Sequence, residues 1–433
     1  MVSQPTTTNP ITYIGRCSFN FSSPQHDHHD NCGNGHCHHH HHVHTKSVLV
    51  MGLMNGSISL FAPNASSVYN QQLHMNPVQN VLHMDGSILA NVDDQSPEIL
   101  KKCNKLKRGN YIVTHSKDQV KFCKLKCSEM ENGRFDYKWD VLFETNFQNP
   151  IVCVKNSFDL ITVITEAGDL FVWKFGLDGQ LIQLCSTFIG RPSCKIVSVA
   201  SSTKDRLRMA VILQYSFFAI AWEDGLVGIF EPDYNLLQCT ISKIGVTTNA
   251  EENYEQIFLL KKTINVNNGE CVQSDTTLTL PSIFENTIHI RHIALPTNST
   301  NIYVLSQQVT SEKYSLHEYN AACGFGNPSH SISLTTEGMD EEVHSHIFHM
   351  QAIGDFLIIA SSFLIEVYSL HSKTSRICSL LDDEDEESID VTSIEWDGRR
   401  ALLLGCSDGN VRGIVMDVQD EETDLETFGI ELP

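Results

Sequence analysis

SVLVMGLMNGSISLF (47–61) is a short apolar strand, a tight polar turn and a second strand, and this form recurs along the chain. It returns as NYIVTHSKDQVKFCKL (110–125), DLITVITEAGDLFVWKF (159–175), FFAIAWEDGLVGIF (217–230), DFLIIASSFLIEVYSL (355–370) and RALLLGCSDGNVRGIVM (400–416). A seventh copy, NIYVLSQQVTSEKYSLHEY (301–319), has both strands but a longer turn without glycine. In the first unit Val48 and Val50 alternate with Leu49 and Met51, the period of two that a pleated strand imposes. The pairs Asn55-Gly56, Asp224-Gly225 and Asp408-Gly409 supply the positive φ that a two-residue hairpin turn requires. Each unit therefore reads as a hairpin. A lone hairpin cannot hide its apolar faces, whereas four-stranded blades set in a ring bury both faces against their neighbours.

The segments around the hairpins supply the further strands a ring needs. PIVCVKN (150–156), HIRHIAL (289–295) and VTSIEW (391–396) precede hairpins, and QLIQLCS (180–186) follows one. TYIGRCSFNF (12–21) precedes the first hairpin and TDLETFGIEL (423–432) follows the last, so the two ends can lie in adjacent blades or pair within one. In the fourth unit, KIVSVAS (195–201) and RMAVILQY (208–215) both compete for the first strand position. The expectation is an all-β chain, one β-propeller of seven four-stranded blades over 1–433, closed by both termini.

The strand–turn–strand units, their Asp-Gly or Asn-Gly turns, the aromatic ends Phe61, Trp173, Phe230 and Tyr368 and the spacing of roughly 50 residues resemble a WD-repeat β-propeller. The units depart from that family in two ways. None ends in Trp-Asp at the family's place and none opens on Gly-His, so the family's His–Asp hydrogen-bond network has no assigned residues here. The resemblance implies a non-enzymatic scaffold that holds other proteins in a complex, an inference from fold-level analogy.

Composition bounds the remaining readings. The chain has 433 residues, 41% of them apolar and 19% charged, enough to bury a sizeable core. Its net charge of −22 repels a phosphate backbone unless positive charge is concentrated in one place, so RNA is disfavoured as a partner but stays open. The opening MVSQPTTTNPITYIG has no basic start before an apolar run and predicts no secretory leader. No stretch approaches the roughly 18 apolar residues of a membrane helix, so no membrane partner is expected. Fourteen irregularly spaced cysteines then fit reduced thiols in the cytoplasm or nucleus.

Four segments interrupt the repeat: a His-rich insert at 22–46 expected to be disordered, a basic insert at 93–108, a long polar insert at 240–288 and an acidic inter-blade loop at 381–390. The first holds ten of the 21 histidines. Its His36, Cys37, His38, His40, His42 and His44 are of the types that bind zinc, nickel or copper, although Cys32-x₄-Cys37 lacks the spacing of a zinc ribbon. Incidental affinity of a low-complexity loop and metal handling both stay open, and no cofactor is expected. Between Lys101 and Lys126 nine basic residues face the single acid Asp118. Lys101, Lys102, Lys105, Lys107 and Arg108 lead that island, which suits an acidic protein surface or, as an alternative function, an RNA-associated subunit. Asp382, Asp383, Glu384, Asp385, Glu386 and Glu387 form the acidic run, a solvated loop or a dock for a basic tail. It can also answer the basic island if both emerge on one face.

Gly405-Cys406-Ser407-Asp408-Gly409 fits the Gly-x-Ser-x-Gly pattern of a hydrolase, but that elbow must lead from a strand into a helix. Here NVRGIVM follows, another strand. With no phosphate-binding loop, no HExxH and no GxGxxG opening a helix, no catalytic residue is nominated.

Overall fold

The structure, a computed structural model, describes the strands below and the turns and connections at 9–10, 54–56, 73–79, 97–98, 101, 109, 116–118, 147–150, 166–168, 189–190, 193–195, 223, 295–296, 354–355, 370–374, 389–390 and 407–410. Blade 1 is β1 (Ile11–Ser22), β2 (Val43–Leu53), β3 (Ser57–Phe61) and β4 (Tyr69–Gln72). Blade 2 is β5 (Asn80–Asp85), β6 (Asn110–His115), β7 (Gln119–Glu129) and β8 (Phe135–Asn146). Blade 3 is β9 (Ile151–Ser157), β10 (Leu160–Thr165), β11 (Asp169–Phe175) and β12 (Leu181–Phe188). Blade 4 is β13 (Ile196–Arg208), β14 (Val211–Trp222), β15 (Leu226–Pro232) and β16 (Phe258–Asn265), with an added edge strand β17 (Cys271–Val272). Blade 5 is β18 (Ile288–Ala294), β19 (Asn301–Gln308), β20 (Tyr314–Asn320) and β21 (His330–Ser333). Blade 6 is β22 (Ile347–Ile353), β23 (Phe356–Ser361), β24 (Leu364–Ser369) and β25 (Ser375–Ser379). Blade 7 is β26 (Val391–Trp396), β27 (Ala401–Cys406), β28 (Val411–Gln419) and β29 (Glu422–Gly429).

All seven repeat units form the two middle strands of a blade, including 301–319 with its longer turn. Alternation within each hairpin decides which inter-blade core a side chain enters. Val48, Val50, Ile58 and Leu60 pack with Ile112, Cys123 and Trp139 of blade 2. Their sequence neighbours Leu49, Met51 and Leu53 pack with Ile11, Ile14 and Val411 on the side of blade 7. Blade 2 divides likewise, with Tyr111, Val113 and Phe122 meeting Val154, Ile161 and Trp173 of blade 3. Each aliphatic side chain so buried contributes about 1.5–3 kcal/mol, and a one-residue slip would exchange the two cores.

The innermost strands touch in order around the ring: β1 with β5, β5 with β9, β9 with β13, β13 with β18, β18 with β22, β22 with β26 and β26 with β1. Side chains stitch these strands to the backbone of the next blade. Ser393 Oγ accepts from Ile14 N at 2.5 Å and Ser198 Oγ from Ile293 N at 3.1 Å. Thr392 Oγ1 donates to Ile11 O at 2.6 Å, Tyr13 OH to Val81 O at 2.8 Å and Asn156 Nδ2 to His83 O at 2.8 Å. The first and last strands thus lie in adjacent blades and do not pair within one.

The structure places strands in three stretches whose boundaries the sequence left open. The 240–288 segment, a long polar stretch with room for one or two strands, carries β16, which pairs with β15 over Leu226–Pro232, and β17. Apolar Phe258, Leu259 and Leu260 make that outer strand possible inside a polar stretch. Strand pairing also enters the His-rich segment from both ends, with Ser22 opposite Val43 and Phe21 opposite His44. In blade 4, 195–201 supplies the first strand, while the apolar run from Val211 extends the second strand opposite Arg208.

Candidate functional site

Chain direction sorts every connection onto one of two faces. Because each blade runs antiparallel from its inner to its outer strand, the second-to-third-strand turns and the connections to the next blade emerge on one face, here the turn face. First-to-second and third-to-fourth connections emerge on the opposite, insert face. The His-rich segment after Ser22 and the basic segment after Asp85 both leave from the insert face. The acidic run joins the end of β25 to the start of β26, two strand ends on the turn face. The strand ends that flank the basic and acidic segments therefore lie at opposite ends of the ring.

Most sequence-nominated residues lie outside the described residues: Lys102, Lys105, Lys107, Arg108, Asp382 to Glu387, His36, Cys37, His38, His40 and His42. Lys101 is helical and exposed, and the backbone of His44 pairs in β2. Three further lysines of the island have partners within their own blade. Lys121 pairs with Glu144 at 3.2 Å, Lys126 with Asp140, and Lys124 sits 5.5 Å from the centroid of the Tyr111 ring. A window of sequence counts β7 without the acids of β8 beside it. Among the described residues no group of three or more His, Cys, Asp or Glu is placed to hold a metal, and no helix is long and apolar enough to cross a membrane. Burial pushes the thiols of Cys17 and Cys123 up to about 12.

The turn face is tied together by a repeated device in which a turn carbonyl accepts from the connection to the next blade. Gly56 O accepts from Leu73 N and His74 N at 3.1 and 3.0 Å, Asp118 O from Phe147 N at 2.8 Å, and Gly168 O from Ile189 N at 2.8 Å. Glu166 O accepts from Ile196 N, and Ser407 N donates to Asp390 O, both at 2.9 Å. Gly56 and Gly409 hold φ of +84° and +83°, as the hairpin reading requires. Ser407 lies in that last turn, its Oγ accepting from Asp390 N at 3.0 Å, and β28 follows it, so the Gly-x-Ser-x-Gly match is a hairpin.

His74, in the connection from blade 1 to blade 2, is buried in this network. Gln119 donates from Nε2 to Glu144 Oε1 and Asn146 Oδ1, both at 2.9 Å, which leaves its Oε1 to accept from His74 Nδ1 at 3.0 Å. That fixes the proton on Nδ1. Burial, with Lys121 adding to it, lowers His74 to about 4 against the opposing Gln119 hydrogen bond, so the ring is neutral near pH 7. His115 is likewise lowered to about 4 by burial. In blade 3 Asp169 Oδ2 accepts from Thr165 Oγ1 at 3.0 Å and Asn149 Nδ2 at 3.3 Å.

On this locked backbone sit four large apolar side chains that face solvent: Met54 at 48% exposure, Met75 at 90%, Phe188 at 58% and Val197 at 40%. The sequence reading missed them. Met54 and Met75 carried a signal, an apolar residue inside a turn and a connection where no strand period accounts for it. Charged neighbours are mostly acidic. Lys195 binds Glu166 at 2.9 Å and Arg412 binds Asp408 at 2.7 Å. Burial pushes Asp408 up, but Asn410 and Arg412 outweigh it and hold the carboxyl below its usual range.

No protein-family model matches the sequence, and no curated protein matches it. Among solved structures, Saccharomyces cerevisiae Sqt1 aligns over 96% of this chain and 98% of its own, at 11% identity and a TM-score of 0.47. Kluyveromyces marxianus Hsv2 aligns over 88% and 93%, at 12% identity and a TM-score of 0.44. The computationally designed Ika8 aligns over 95% and 98%, at 12% identity and a TM-score of 0.40. The chain is an all-β, seven-bladed β-propeller.

Proposed function

We propose that this propeller is a non-enzymatic protein-interaction platform within a multi-protein complex, with the turn face as its working surface. The observation that supports this is the combination on one face of a hydrogen-bonded backbone with exposed apolar side chains. Four of the eight exposed large hydrophobics described lie there. A surface held in one conformation loses little entropy on binding, and apolar side chains already in solvent gain by being covered. Asp382 to Glu387 extend the reading as a dock for basic segments, since in sequence they join β25 to β26, whose flanking ends lie on that side.

An RNA-associated role through Lys101, Lys102, Lys105, Lys107 and Arg108 is the weaker reading, because Lys121 and Lys126 are already answered by Glu144 and Asp140. Metal handling through the His-rich segment stands as a separate proposal, tested by zinc content before and after deletion of 23–42. The platform is tested by purifying the protein from its own cytoplasm or nucleus at moderate salt and identifying what accompanies it. A fixed set of proteins supports the platform, and recovery of the chain alone contradicts it.

A further inference from the structure

In six blades the innermost strand carries a register shift near its start, and two residues beyond the point where pairing resumes stand Gly15, Lys155, Ala200, Ala294, Gln351 and Glu395. These residues share one level around the axis of the ring, where each innermost strand has an edge that pairs with no strand. Lys155 is half-buried there and has neither a hydrogen bond nor an ion pair among the described residues. Blades 4 and 5, which follow it around the ring, carry only Ala200 and Ala294 at this level.

The charge of Lys155 nevertheless acts on Glu395. The two residues belong to blades 3 and 7, which share no seam, so the attraction runs across the axis. Arg16 of blade 1 is the third member. Its backbone N–H bonds to the Glu395 carboxyl group, its charge acts on the same group, and its Nε donates to Ser47 Oγ at 2.5 Å. Two cations therefore share one carboxyl group. Burial pushes Glu395 up to about 7 against both of them, so near neutral pH it carries about half a negative charge. Tyr13 and Cys17 also face Glu395, and burial raises both, Cys17 to about 12, so neither adds charge. The level is thus positive inside a chain of −22. An amine kept half-buried without a partner costs the fold stability, and an anion beside it would remove that cost.

We infer that the axial channel binds a phosphate-type oxyanion between Lys155 and Arg16, with the protonated carboxyl group of Glu395 as a further donor to it. Lys155 Nζ and the Arg16 guanidinium donate charge-assisted hydrogen bonds to the anion, and Glu395 donates its O–H. Ionised Glu395 repels the same anion, so binding takes up a proton and weakens as pH rises through 7. The site lies inside the ring and not on the turn face, and its failure leaves the platform reading untouched.

The test is titration calorimetry on the full chain at constant ionic strength, with inorganic phosphate, glycerol phosphate and sulfate as probes. Sulfate is included because it does not itself titrate between pH 6 and pH 8. One site per chain is expected. Lys155→Met is expected to weaken binding at least tenfold without lowering the melting temperature, and Lys155→Arg to keep it within about threefold. From pH 6 to pH 8 the sulfate affinity of the wild type is expected to fall roughly tenfold, following the protonated fraction of a group that titrates near 7. In Glu395→Gln it is expected to stay level. Lys195→Met, which breaks the ion pair with Glu166 on the turn face, is expected to change nothing. Tighter binding of glycerol phosphate than of inorganic phosphate supports an esterified ligand, and the reverse supports a free ion. No binding of any probe, equal binding by Lys155→Met, or a pH dependence that persists in Glu395→Gln overturns the proposal.

Discussion

The backbone N–H of Ile14 donates to the hydroxyl of Ser393 at 2.5 Å, across 379 positions of sequence, and so joins the first blade to the last. Beside it Thr392 Oγ1 reaches Ile11 O, and the apolar cluster of Ile11, Ile14, Met51, Leu53 and Val411 fills the same seam. No strand is exchanged between these blades, so side chains and packing carry the closure. Replacing Ser393 by Ala leaves a buried N–H without its acceptor, at a cost of about 1–3 kcal/mol. Urea denaturation of Ser393→Ala should show that loss, and an unchanged midpoint would show that packing alone holds the seam.

A second inter-blade contact is ionic. Glu318 of blade 5 is buried and accepts from Tyr303 OH at 3.0 Å and Asn301 Nδ2 at 2.5 Å, while Lys373 of blade 6 reaches its Oε2 at 2.7 Å. Lys373 does so from a left-handed backbone, φ +60°. Lys373→Met strands a buried carboxylate and is expected to destabilise by roughly 3 kcal/mol. Adding Glu318→Leu should restore part of the loss, because the uncompensated charge goes with it. Thermal melts of the two variants decide whether the pair matters as charge or only as packing.

The two buried histidines and Glu395 give stability opposite dependences on pH. Folded His74 and His115 titrate near 4, below the unfolded value of about 6.5, so the unfolded chain binds more protons and stability falls as pH drops from there towards 4. Burial pushes Glu395 up to about 7, against the pull of the Arg16 N–H, the Arg16 charge and Lys155. Its contribution is complete below the unfolded carboxyl value and is lost as pH rises through 7. Glu395→Gln should therefore raise stability at pH 8, by on the order of 2 kcal/mol, and change little at pH 4.5. An equal effect at both would contradict this account of Glu395.

Gly56 offers a sharper test of the turn face. Its φ is +84°, and a Cβ there would collide with the backbone carbonyl of His74. Gly56→Ala is expected to cost more than about 1 kcal/mol and to raise hydrogen exchange at Leu73 and His74, whose N–H groups bond to Gly56 O.

The middle strands of each blade were legible because both of their faces are buried and both must alternate, as Val48 to Met51 show by entering two different cores. Outer strands were not. YNQQ of β4 has one aromatic and three amides, and Gln71 spends its side chain on the edge of blade 2, accepting from Trp139 N at 2.8 Å and donating to Trp139 O at 3.2 Å. A polar tetrapeptide that completes a sheet through its neighbour carries no periodic signal. The partners of Lys121 and Lys126 were hidden for a related reason, since Asp140 and Glu144 stand 14 and 18 residues beyond Lys126 in sequence and on the adjacent strand in space. The candidate surface stayed hidden because exposure of Met75 or Phe188 is a property of the ring.

Cross-linking mass spectrometry of the assembly purified with this protein tests the central claim most directly, because exposed lysines mark both faces. Lys117 and Lys195 lie on the turn face, and Lys101 and Lys126 lie towards the insert face. Cross-links to partner proteins are expected to concentrate at Lys117 and Lys195 and to disappear in the Met75→Glu, Phe188→Glu variant. Partner cross-links confined to Lys101 and Lys126, and unaffected by that variant, would contradict the assignment of the turn face as the binding surface.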